Sequence, residues 1–253
     1  MKEKIIEVRN LVKKYKDLTA VNGISFDVYK GEIFGLLGPN GAGKTTTLEI
    51  METLRPKTSG EVIIDGLSID KDQNKIKQII GVQLQAAGYY PNLHLDELVE
   101  LFGGLYNVDV NIDEILNLVD LKEKAKSKYK ELSGGQKQRF SIATTLINRP
   151  KIIFLDEPTT GLDPQARRNL WQLVKKIQDK GTTVMLTTHY MDEAEYLCER
   201  VGIIDHGKIL VIESPGNLID DLLTRGFKRH AQLKEASLED VFLELTGREL
   251  RDE

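Results

Sequence analysis

The chain has 253 residues, of which 40% are hydrophobic and 29% charged, and it carries a formal net charge of −4. That length allows one large domain or two small ones, and the composition belongs to a globular protein with a substantial core, not to a disordered chain. The acidic balance argues against a generic partner such as nucleic acid or anionic lipid, which calls for a clustered positive face.

Short β-branched runs at 5–8, 24–28, 33–37 and 62–64 alternate with turn signals at Asn22-Gly23, Lys30-Gly31 and Asp65-Gly66, which predicts strands. A helix is expected from Gly43 to about Leu54, stopped by Pro56. From about 86 to 148 the pattern turns helical, with Leu98, Leu101, Phe102 and Leu105 on one face and Ile112, Ile115, Leu116 and Val119 on another. Within it, residues 122–130 hold five lysines against one glutamate, which reads as a solvated helix face. Strand and helix then alternate again: 152–155, a helix from Pro164 to about Asp179, 184–187, a helix from Met191, and 201–204. An α/β core split by a helical insertion is the expected fold class. Cys198, the single cysteine, excludes an internal disulfide, and its spacing with Ala194, Leu197 and Val201 predicts a buried thiol on a helix. No stretch approaches the ~20 apolar residues that span a bilayer, and the first residues lack an apolar leader, so the chain is expected to be neither exported nor self-anchored.

Gly38-Pro39-Asn40-Gly41-Ala42-Gly43-Lys44-Thr45 fits the phosphate-binding pattern G-x-x-x-x-G-K-[ST], with a strand before it and a helix after it. Its glycines let backbone N–H groups converge on phosphate oxygens at a helix N-terminus; Lys44 is placed for the β- and γ-phosphates, and the Thr45 hydroxyl for Mg²⁺. The apolar run 152–155 ends in Asp156 and Glu157, two adjacent acids that need compensation of the kind a Mg²⁺–nucleotide supplies. Asp156 is expected to hold Mg²⁺ and Glu157 to act as general base on the attacking water. Leu132-Ser133-Gly134-Gly135-Gln136 opens a further helix with a serine cap and paired glycines, a second candidate anion site that an ordinary capped helix does not account for.

At this point the chain resembles the nucleotide-binding domain of the ABC superfamily, whose signature is L-S-G-G-Q. The resemblance covers nearly the whole chain. It implies an α/β fold with a P-loop NTPase core of RecA-like type, an N-terminal antiparallel β lobe and an inserted α-helical subdomain. The implied limits are an α/β core at 1–85 and 149–215, a helical subdomain at 86–148 and a C-terminal helical extension at 216–253. It further implies that Tyr15 stacks on adenine, that the P-loop from Gly38 through Thr46 and the stretch Ser133 to Gln136 bind ATP, and that Asp163 marks the D-loop. His189 matches the switch histidine. Gln85 matches the Q-loop glutamine, touching Mg²⁺ or the attacking water, although Val82-Gln83-Leu84-Gln85 offers two glutamines and lacks the usual proline. ATP and Mg²⁺ are the implied cofactors.

The implied partners are a separate ABC transporter membrane subunit and a second copy of the cassette, paired head to tail on the cytoplasmic face of the membrane. The segment 237–247 resembles the end of drug-resistance and ABC-2-type exporter ATPases, but its Leu238, Val241, Phe242 and Leu245 spacing equally describes an amphipathic packing helix. A non-transport ABC ATPase acting on nucleic acid or ribosomes is the alternative; a P-loop kinase or GTPase would leave residues 132–136 unexplained. The spacing of His94, His206 and His230 does not suggest a metal site.

Overall fold

The computed structural model describes residues 2–83 and 88–227, together with 241, 244 and 245. Two sheets organise it. The first is antiparallel, in the order β2 (Leu18–Tyr29), β1 (Lys4–Tyr15), β4 (Ser59–Ile64), β5 (Leu67–Ser68). Strand β1 outruns the expected 5–8 because its register shifts between Val8 and Leu11, where Asn10 takes a left-handed φ of 49°. That bulge interrupts the period-two pattern without ending the strand.

The second sheet runs β10 (Lys208–Glu213), β9 (Arg200–Asp205), β3 (Ile33–Leu37), β8 (Thr183–Thr188), β7 (Ile152–Asp156), β6 (Ile80–Gln83). Strands β9, β3, β8, β7 and β6 are parallel, and β10 closes one edge antiparallel to β9. Both faces of the central strands are buried, which is why they read as unbroken apolar runs. Phe34, Leu36, Ile152, Phe154 and Met185 pack with the antiparallel sheet and with helix α1 (Lys44–Met51). Their alternates Leu37, Ile153, Leu155, Val184 and Leu186 pack on the opposite face, against the later helices.

Helix α1 stops at Met51, three residues before the expected end: Thr53 adopts φ 62°, and the N–H groups of Leu54 and Arg55 both turn back to Glu49 O. A left-handed residue, and not Pro56, ends it. Helix α2 (Gln73–Ile79) leads into β6; neither was legible in the sequence pattern. The helical region holds α3 (Leu95–Tyr106), α4 (Ile112–Leu118) and α5 (Gly134–Thr145). The lysine-rich stretch between them forms two 3-10 turns, Lys122–Lys124 and Tyr129–Glu131, instead of a helix face. Helix α5 also belongs to the core: a Cβ added at Gly81 of β6 would lie 2.0 Å from Thr145 O, so only glycine lets helix and strand meet.

Helix α6 (Pro164–Asp179) begins where the sequence places it, with Asp163 as its cap accepting from the N–H groups of Gln165 and Ala166 at 3.0 and 2.9 Å. Helix α7 (Met191–Leu197) ends one residue before Cys198, which is buried and caps it. Helix α8 (Pro215–Thr224) follows. Most of the segment 237–247 lies outside the described residues; Val241, which is described, is buried in the same core cluster as Leu218 and Leu222 of α8. Among the described residues no helix is long and apolar enough to cross a membrane.

Candidate active site

The topology places the carboxyl ends of β3, β8, β7 and β6 side by side on one rim of the parallel sheet, where open α/β sheets hold ligands. Leu37 pairs with Thr188, and Asp156 with Thr187. The glycine-rich loop after β3, the Asp156-Glu157 pair after β7 and His189 after β8 therefore emerge together. Gln85, two residues beyond the end of β6 in sequence, lies outside the described residues.

Two glycines allow the loop its path. A Cβ on Gly38 would sit 2.1 Å from Ile204 O, and Gly43 combines φ 101° with a hypothetical Cβ 2.3 Å from Ala20 O. The loop is fastened from outside as well, with Gly38 N donating to Thr188 O and Gly207 N to Ala42 O. Helix α1 then opens with no acidic residue in its first turn, leaving the positive end of its dipole uncompensated by the chain. Pro39, Asn40, Gly41 and Thr46 complete the loop and the first turn.

Lys44 is 4% exposed, and its ammonium donates to Gly38 O at 2.8 Å and Pro39 O at 3.1 Å, with Glu157 Oε1 at 3.3 Å. Burial pulls its pKa down, and the neighbouring carboxylates push it back. Glu157 Oε2 lies 3.2 Å from His189 Nδ1 and accepts from Thr160 Oγ1 at 3.2 Å. The His189 contact first, opposed by burial and assisted by Lys44, draws the Glu157 carboxyl down to about 2. Glu157 also has φ 47°, unusual for a residue with a side chain, and its N–H points to Thr187 Oγ1 and O. Strained backbone of this kind is held where the surroundings over-determine it, commonly at active sites.

Asp156 is 6% exposed, and its Oδ1 accepts from Thr187 Oγ1 at 2.5 Å and Thr45 Oγ1 at 3.2 Å. Burial nevertheless raises its pKa, against the pull of both hydroxyls. The acid and the hydroxyl expected to share an ion are thus already adjacent.

Lys44, Thr45, Glu157 and His189 line a cleft of 740 Å³, beneath which Asp156 and Thr187 are buried; it extends to Tyr15, whose ring has Lys13 Nζ at 4.9 Å and Arg55 Cζ at 5.5 Å from its centroid. The cleft joins Tyr15, Lys44, Thr45, Thr46, Glu157 and His189 in one space. Ser133, Gly134, Gly135, Gln136 and Asp163 are absent from its lining. Ser133 is exposed and forms a reciprocal cap: Gln136 N donates to Ser133 Oγ at 3.3 Å, and Ser133 N to Gln136 Oε1 at 3.0 Å. The two candidate phosphate motifs therefore do not meet within one chain. They are mechanically joined all the same, since Gln138 Nε2 of α5 donates to Pro158 O beside Glu157 at 2.5 Å.

Sequence reasoning missed Thr187, Thr160 and Arg55. Thr187 was in view within Thr187-Thr188-His189, but only parallel pairing with Asp156 reveals its contact. Arg55 sits beyond the end of α1 and reaches the cleft because that helix turns back; Glu49 Oε2 holds its Nε at 2.5 Å.

The family model described as ABC transporter matches residues 21–160. The chain is 39% identical to the linearmycin resistance ATP-binding protein LnrL of Bacillus subtilis, over 94% of this chain and 78% of that protein. It is 35% identical to the Nod factor export ATP-binding protein I of Burkholderia lata, covering 98% of each. It is also 38% identical to the probable multidrug ABC transporter ATP-binding protein YbhF of Escherichia coli, of which it spans 42%. Among solved structures, a dimeric post-hydrolysis ATP-binding cassette bound to ADP and Pi superposes with TM-score 0.74 at 31% identity, over 83% of this chain and 98% of that one.

Proposed function

Because this chain belongs to the ABC transporter family, as one of its ATP-binding cassettes, we propose that it hydrolyses ATP to drive export through a separate membrane subunit. The observation that carries the reading is the position of Glu157, whose carboxylate stands between Lys44 and His189 at the mouth of the phosphate-binding loop. Lys44 and the loop from Gly38 to Thr46 hold the phosphates, Tyr15 stacks on adenine, and Glu157 takes the proton of the attacking water. A phosphate that engages Lys44 removes one of the charges that depress Glu157 and leaves it a stronger base. His189, on the other carboxylate oxygen, orients Glu157 and is within reach of the γ-phosphate.

Mg²⁺ is the ion that the donors suit: Thr45 Oγ1 and Asp156 Oδ1 are hard oxygens 3.2 Å apart, and the burial that penalises the Asp156 charge is relieved by a cation. Such an ion neutralises charge developing on the β- and γ-phosphates. Gln85 is the further candidate ligand.

A second copy completes the site. Gly134 is not at positive φ and a Cβ there would meet nothing within 4 Å, so the fold of one chain gives no reason for glycine. A phosphate arriving with another chain does. In this arrangement Ser133 to Gln136 of one copy cover the ATP held by its partner's Lys44, with Asp163 at the seam, and closure and reopening move the membrane subunit on its cytoplasmic face. The proposed core at 1–85 and 149–215 carries the loop and the proposed helical subdomain at 86–148 carries the signature, with 216–253 as the C-terminal extension. Relatives named for resistance and for Nod factor export favour export over the non-transport alternative.

The purified chain should turn over ATP. Glu157→Gln should retain ATP binding and lose turnover by about 10²–10⁴-fold, the usual contribution of a general base. Unchanged turnover in that variant would remove Glu157 from the mechanism.

A further inference from the structure

Glu193 is 0% exposed, a position acids occupy only when something holds them there. It lies on α7, four residues after His189. Its Oε1 accepts from Trp171 Nε1 of α6 at 3.0 Å. Burial raises its pKa, and the Thr188 and Thr159 hydroxyls and the Trp171 indole only partly offset that. Thr188 and Thr159 are 1% and 0% exposed, and neither Glu193 Oε2 nor Thr159 Oγ1 makes a hydrogen bond of ordinary geometry.

The placement of these partners gives the contact its meaning. Thr188 immediately precedes His189, Thr159 follows Glu157 by two residues, and Trp171 stands on the helix that Asp163 caps. The three segments have no backbone pairing with one another beyond the ends of β7 and β8. A second tie runs parallel on the outside, with the Arg167 guanidinium of α6 4.3 Å from the centre of the Tyr190 ring and 3.3 Å from Asp192. We propose that Glu193 is a positioning residue for hydrolysis: by accepting from Trp171 it ties the helix that follows His189 to the helix that begins at Asp163, and so holds His189 against Glu157. A hydrophobic residue would fill this space without holding the Trp171 indole, and a buried carboxylate has no other evident use there.

The proposal rests on His189 and Glu157 serving hydrolysis, and its test separates the two ideas. Glu193→Gln keeps the shape but exchanges an acceptor for a donor; Trp171→Phe keeps the carboxylate and deletes its indole partner. In folded protein of each variant, with melting temperature recorded, kcat should fall by about tenfold or more while ATP affinity stays within about twofold, because the phosphate loop and Tyr15 are untouched. In a His189→Ala background the same substitutions should lower kcat no further, since their effect passes through His189. A merely structural role would lower the melting temperature, leave kcat per folded molecule unchanged and give the same proportional effect in both backgrounds, which would overturn the proposal. Should Glu193→Gln fail to fold, Trp171→Phe decides alone. If His189→Ala and Glu157→Gln themselves hydrolyse ATP normally, the functional reading fails; if they are inactive while both new variants are not, only the positioning role fails.

Discussion

Lys44 Nζ and Glu157 Oε1 lie 3.3 Å apart across the mouth of the glycine-rich loop, and the same ammonium is bound by two loop carbonyls. The carboxylate proposed as general base and the lysine proposed to bind phosphate thus compensate each other in a space where neither is well solvated. Phosphate and Glu157 compete for one cation, which links filling of the loop to the basicity of the group that must act next.

His189 is the largest influence lowering the Glu157 pKa. His189→Ala should raise that pKa but leave Glu157 unoriented, and the loss of orientation should prevail, reducing kcat by about 10²-fold or more while ATP affinity changes little. Single-turnover hydrolysis and nucleotide titration check both halves. A loss of affinity with kcat unchanged would mean that His189 acts in binding alone.

Tyr15 lines the cleft with Lys13 and Arg55 near its ring, and offers an aromatic surface with no hydrogen-bond code for adenine. Tyr15→Ala should weaken ATP by about tenfold, since base stacking on an aromatic contributes on the order of 1–3 kcal/mol. GTP should be weakened comparably, and preference between the purines should stay modest. An unchanged ATP titration would count against stacking.

Glu52, at the C-terminal end of α1, is 3% exposed; burial first, then the Asp156 and Glu49 charges, push its carboxyl up to about 8. The folded chain then holds a proton that an unfolded Glu releases near 4.5, so its stabilising contribution is complete below about 4.5 and is lost as pH rises toward 8. Glu52→Gln should flatten the fall in melting temperature between pH 5 and pH 8, and gain most at the alkaline end. The same slope in both proteins would show that Glu52 titrates normally.

The sequence makes the chemistry more legible than the architecture. Lys44, Thr45, Asp156 and Glu157 stand out in local patterns, because each follows a strand that is a plain apolar run, whereas His189 is implied only by the family resemblance. What was not legible depends on contacts between distant segments: β6 became a strand only through pairing with β7, the bulge at Asn10 concealed most of β1, and Thr53 ended α1 by a backbone turn that threonine does not advertise. Arg55 reached the cleft, and Thr187 the Asp156 carboxylate, for the same reason. Residues Ser133 and Gly134 were singled out by sequence, yet their separation from Lys44 needed the fold to be seen.

Gly134→Ala gives a clean contrast between a lone chain and a pair. With nothing within 4 Å of the new Cβ, the isolated chain should be as stable as before or slightly more so, because alanine favours helix by up to about 1 kcal/mol. Turnover should fall sharply if a phosphate on a second copy must approach that backbone. Normal turnover would indicate that no ligand comes close to Gly134.

The central claim is that each ATP lies between Lys44 of one copy and Ser133 of another, and a cross-link tests it most directly. In a Glu157→Gln background with Cys198 replaced, one sample carries Asn40→Cys and a second, distinguishable by size, carries Ser133→Cys. On mixing and mild oxidation, ATP should produce a disulfide-linked heterodimer that does not form without nucleotide. If no heterodimer appears with ATP while a chain carrying both cysteines cross-links only within itself, the composite site is contradicted.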